Sequence, residues 1–137
     1  MADLTITAAN VVAASSATKK QVTAGAAITA GQVVALDSAT RTYKLCDVNS
    51  GTADLRKPAG IALHAAAANQ PLTILTRGKI TIGATVAVGV TYYASGTGGG
   101  IRPAADNTTG DYVAEVGLGV STTQIDVLFH EAGAAMA

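Results

Sequence analysis

The chain has 137 residues, enough for one ordinary domain, and its nine basic and nine acidic residues leave no formal net charge. Hydrophobic residues make up 49%, yet only 4% of the chain is aromatic and 13% is charged. This balance argues against a nucleic-acid binder, which needs a basic patch to neutralise phosphates. It also argues against a helical membrane protein, since no apolar run approaches the roughly 18 residues of a span.

Residues 1–22 read as an extended N-terminal arm with small apolar clusters at Leu4, Ile6, Val11 and Val12 and the one adjacent basic pair, Lys19-Lys20. Asp3 and the lack of a basic start make a poor signal peptide, so the expectation is synthesis in a cytoplasm. From residue 23 to 131 the pattern is that of one β-domain. GQVVALD is a short apolar run, DSATRT a bend and TYKLCDV a return strand. NSGTADLRKPAG is a polar connection, and the Ala run at 64–69 allows at most one short helix.

PLTILTRGKITIGATVAVGV has the clearest period of two. Leu72, Ile74, Ile80, Ile82, Val86, Val88 and Val90 fall on even positions, with Thr73, Arg77, Lys79 and Thr81 between them. Leu75 breaks the rule, and Arg77-Gly78 reads as a bulge or bend. TYYASGTGGGIRPAAD is a hairpin with a glycine-rich tip, and DNTTGD is a turn. DYVAEVGLGV places Tyr112, Val116, Leu118 and Val120 on one side, and IDVLFHE closes the domain before a flexible tail at 132–137.

Two stretches follow the same plan. Gly31 and Gly89 each begin an apolar run that crosses a polar bend and returns to an Asp, and Gly60 and Gly117 each open a later strand. The pseudo-repeat spans about 31–75 and 89–129. It predicts one all-β domain, a small barrel or a sandwich, rather than two domains.

No chemistry is written on this framework. His64 and His130 have no metal-ligand spacing around them, and Cys46 has no cysteine to pair with and reads as an inert buried thiol. The Asp residues sit mostly at bends. GTGGGI lacks the Lys-Ser/Thr and following helix of a phosphate loop. Catalytic, cofactor and metal residues are therefore none. Lys79 leaves a carrier-module alternative, which needs that Lys displayed on a tight hairpin.

In order, AGAAITAGQVVALD, PAGIAL, LTRGKITI, VAVGVTYYAS, TGGGIRPAAD, GDYVAEVGLGVS and IDVLFHE resemble the small capsid decoration (cement) proteins of tailed bacteriophages. The resemblance covers roughly residues 20–131. It implies a β-barrel or β-tulip fold and a homotrimer on the outer surface of the virion capsid. It also implies binding to the major capsid protein, where the protein bridges neighbouring subunits and stabilises the expanded head. No membrane or nucleic-acid partner is implied. The alternative within virions is a tail-tube or baseplate protein. The expected capsid contact is the arm: Leu4, Ile6, Val11, Val12, Lys19 and Lys20.

Overall fold

The computed structural model describes residues 3–107 and 112–135, with side chains through residue 131. The strands are β1 (Val11–Ala13), β2 (Thr18–Thr23), β3 (Val33–Asp37), β4 (Thr42–Leu45), β5 (Gly60–Ala62), β6 (Pro71–Ile82), β7 (Thr91–Ala94), β8 (Ile101–Pro103), β9 (Tyr112–Gly119) and β10 (Gln124–Ala135). Three short 3-10 turns are the only helical elements among the described residues. None is long and apolar enough to cross a membrane. The strands form one curled antiparallel sheet in the order β4-β3-β5-β6-β10-β9-β7-β8, with β1 and β2 also pairing with β6.

The strand order is a repeat. β4-β3-β5-β6 and β8-β7-β9-β10 have the same connectivity, and they meet where β6 pairs with β10. The registers agree residue by residue. Val34 faces Leu45 and Gly60, as Tyr92 faces Pro103 and Gly117. Ile61 lies between Val33 and Leu75, as Leu118 lies between Thr91 and Asp126. Gly31 and Gly89 both have positive φ, +90° and +82°, which glycine adopts without steric cost. Their N–H groups donate to Ala62 and Gly119, each at 2.8 Å.

β6 serves both units. Its first half pairs with β2 and β5, its second half with β1 and β10. Thr18 faces Arg77 but Lys19 faces Leu75, so Thr76 is an extra residue, a bulge. Gly78 follows at φ +111°, with its α-carbon so close to Ala17 that an added Cβ would sit 2.8 Å from the Ala17 Cα. The misfit of Leu75 has its cause here. Leu72 and Ile74 enter a small core with Ala24, Ile28, Val34, Tyr43, Ala62 and Ala66. Leu75 points the other way, into the main core with Val33, Ile61, Ile80, Ile82, Ile125 and Val127. The first unit is thus apolar on both faces, and its strands read as continuous apolar runs such as VVAL.

Several expectations are corrected. The Ala run at 64–69 forms no helix. Ala66 makes an isolated bridge to Ile28, and this long-range pairing overrides the helix propensity of alanine. Val88 and Leu118 are 64% and 44% exposed rather than buried. Val88 lies in a turn beyond the end of β6. Leu118 follows a register shift, because Tyr92 faces Gly117 while Tyr93 faces Glu115, and the extra residue Val116 inverts the alternation. β10 runs on to Ala135, opposite Tyr112, through most of the stretch expected to be a tail; residues 136–137 lie outside the described residues. So do 108–111 of the expected DNTTGD turn.

Candidate functional site

The N-terminal segment is built into the second unit. In the first unit the Gly25 N–H donates directly to Tyr43 O at 2.7 Å and draws the end of β2 against β4. The repeat-related residues are Gly83 and Ile101. Between them the second unit holds the N-terminal chain: Leu4 N–H donates to Ile101 O (2.7 Å) and Thr7 N–H to Gly83 O (2.8 Å). β1 continues along β6, with Val11 opposite Ile82. Ile6 packs so closely on Gly31 that an added Cβ there would lie 2.6 Å from the Ile6 Cγ2.

This placement divides the six residues expected to contact a capsid. Leu4 and Ile6 pack against the main core and Val11 is part of it, so these three are turned inward. Val12 (59% exposed), Lys19 and Lys20 face outward. The free arm is corrected to a bound segment from Asp3 onward. A period-two pattern can show which residues want cover, but not that the cover lies near residues 83 and 101.

The polar side chains do structural work. His64 Nε2 accepts from Thr73 N–H (3.0 Å) while Nδ1 lies 2.9 Å from Ala65 O, so a neutral ring with its proton on Nδ1 satisfies both contacts. Asp37 accepts from Lys44 Nζ at 2.8 Å, and that bond holds its carboxyl below the ordinary value. Asp54 is likewise lowered by hydrogen bonds from the side chain and backbone of Ser38. Cys46 is fully buried, and burial, with Asp47 and Glu131 adding, pushes its thiol up to about 12. That thiol is a core atom, as its sequence context suggested. Lys79 lies within β6 opposite Asp126, not at a hairpin tip, which removes the geometry a carrier module requires. Among the described residues no group of three His, Cys, Asp or Glu could hold a metal ion.

Two surface features remain. One is a groove of about 530 Å³ between the N-terminal segment and the turns after β6 and β9, lined mainly by threonines, Thr5, Thr7, Thr81, Thr85, Thr122 and Thr123. The other is the outer face of β7, β9 and β10. Tyr93 faces Glu115 and Glu115 faces His130, with 3.2 Å between Glu115 Oε2 and His130 Nδ1. One row along, Thr91, Leu118, Asp126 and Lys79 face one another in turn. Leu118 and Leu128 are 44% and 45% exposed on this face. No sequence signal marked this face, since Leu118 aligns with Ile61, which is buried in the first unit. No protein-family model matches the chain, and no curated protein matches it.

Proposed function

We propose that this chain is a decoration protein that binds the outer surface of an expanded tailed-phage head and stabilises it by bridging major-capsid subunits. The observation that carries the proposal is where the resembling segments lie. The ordered motifs from residue 20 to 131 coincide with the repeated framework: the Gly31 and Gly89 turns, the Gly60 and Gly117 strands, and the closing strands β6 and β10. A duplicated β-scaffold with a wide, weakly charged surface suits a part that acts by contact, where many weak contacts per particle add through avidity. The resemblance also implies three copies at each three-fold position.

The contact assigned here is the outward part of the expected arm. Leu4, Ile6 and Val11 are engaged within the chain, so the capsid-facing candidates are Val12, Lys19 and Lys20. The experiment is co-sedimentation with purified expanded tailed-phage heads. Saturable retention, with greater resistance of the heads to heat, supports the reading. No retention under any condition in which the protein is folded overturns it.

A further inference from the structure

The N-terminal segment is attached in an unusual order. A chain terminus is ordinarily loosest at its tip. Here the first described residue is pinned: the buried Ser95 hydroxyl lies 2.8 Å from each oxygen of the Asp3 carboxylate and donates to that group. A hydrogen bond to a charged acceptor is about twice as strong as a neutral one. After Asp3, only two backbone hydrogen bonds join the segment to the rest of the described chain before β1, from Leu4 N–H to Ile101 O and from Thr7 N–H to Gly83 O. Ala8–Asn10 follow as a 3-10 turn with no side-chain cap and no buried residue. Firm attachment resumes at β1, where Val11 is buried and all three residues pair with β6.

The segment is also thinly packed. Thr5, Thr7 and Asn10 border the groove of about 530 Å³. Asp3, Leu4, Ile6 and Ala8 border a second groove, of about 260 Å³, whose other wall includes Gln32 and the glycine-rich tip at 97–100. The segment is a wall between two grooves, and alternate side chains of an extended chain line each of them. Leu4 and Ile6 are only half-buried, and Thr5 and Thr7 are exposed. Few buried apolar contacts and exposed hydrogen bonds mark a region of low local stability. The first unit has no such wall, because Gly25 N–H reaches Tyr43 O directly.

We propose that residues 3–7 are a strap that opens as one unit about an Ala8–Asn10 hinge while β1 and the sheet stay folded. The order of attachment makes the opening cooperative. While Asp3 is held, Leu4 and Ile6 cannot peel away from the tip. Once the latch lets go, no tie of that strength remains before β1. Opening frees the Gly83 and Ile101 carbonyls, clears the seat of Ile6 on Gly31 and joins the two grooves into one trough. Closing gives the second unit the cover that the first makes with its own backbone. The Asp3–Ser95 contact exists only in the closed form, so it sets how much of the open form is populated.

The test is native-state hydrogen exchange of the full chain without heads, so its outcome is separate from the decoration reading. Protection is compared at the Leu4 and Thr7 amides and at the Cys46 amide, which donates to Val33 O in the core. The expected result is a protection factor shared by Leu4 and Thr7 within about threefold, and at least about tenfold below that of Cys46. Asp3→Ala and Ser95→Ala are each expected to lower Leu4 and Thr7 protection together, by about tenfold. A difference between Leu4 and Thr7 larger than about threefold is fraying from the tip and overturns the proposal. So does protection at both that lies within about tenfold of Cys46, since the segment would then open only with the whole fold. A folded variant that exposes Leu4 and leaves Thr7 unchanged overturns it too. Where neither variant folds, the wild-type comparison decides alone.

Discussion

The Ser95 hydroxyl lies 2.8 Å from each oxygen of the Asp3 carboxylate, to which it donates across 92 positions of sequence. Ser95 is 2% exposed and takes the repeat position of Asp37, whose carboxylate holds Lys44 in the first unit. The second unit has a hydroxyl where the first has an acid, and the N-terminal segment brings the acid to it. Gly100 leaves the room, since an added Cβ would lie 2.6 Å from Asp3 Oδ2.

Breaking this latch loosens the segment. Asp3→Ala removes a charged acceptor from a buried hydroxyl and is expected to cost about 1–3 kcal/mol. Ser95→Ala is expected to cost a similar amount, and the double variant less than the sum, because both lose one interaction. Thermal unfolding of the four proteins checks this. Full additivity would mean that the two residues do not act as a pair.

Removal of residues 2–13 is expected to damage the fold rather than trim an arm. It uncovers the core beside half-buried Leu4 and Ile6 and removes buried Val11, each worth at most roughly 1.5–3 kcal/mol, the value for a fully buried aliphatic side chain. Hydrogen exchange is expected to rise first at β8 and the second half of β6, while β3 and β4 stay protected. Uniform protection in the truncated chain would contradict this placement.

The repeat was legible in the sequence because its landmarks are glycines with a backbone reason to be glycine. Gly31 and Gly89 both adopt positive φ, and a Cβ at Gly60 or Gly117 would collide with Ile74 or with the backbone of Asp126. The break at Leu75 was visible too, and it marks the point where β6 changes cores. The exposure of Leu118 was not legible, because the bulge at Val116 inverts an alternation that reads as regular. The burial of Leu4 and Ile6 was not legible either, because it depends on a slot formed by residues some 80 to 100 positions away.

Cys46 is expected to be silent in the native protein. With its thiol pushed up to about 12 and no exposed surface, it should not react with a disulfide reagent at pH 8, and should react stoichiometrically in denaturant. Rapid labelling of the folded chain would refute its place in the core.

Acid is expected to weaken the first unit through Asp37 and Asp54. Both carboxyls are held below their ordinary value by hydrogen bonds, from Lys44 and from Ser38, so the folded chain favours their ionised forms. That contribution is complete above the ordinary carboxylate range, near pH 4, and is lost as pH falls through the lowered native values. Denaturant midpoints of Asp37→Asn and Asp54→Asn, measured from pH 6 to 2, are expected to fall less steeply than those of the parent chain. Slopes identical to the parent would remove these residues from the acid response.

The most direct measurement is retention of the full chain on purified expanded tailed-phage heads, counted as copies per capsid protein. The account predicts saturable binding at a fixed ratio, weakened by Val12→Asp together with K19E/K20E and unaffected by Cys46→Ala. Absence of binding by the folded chain would contradict the decoration function itself, and undiminished binding by the Val12, Lys19 and Lys20 variant would contradict the surface assigned to it.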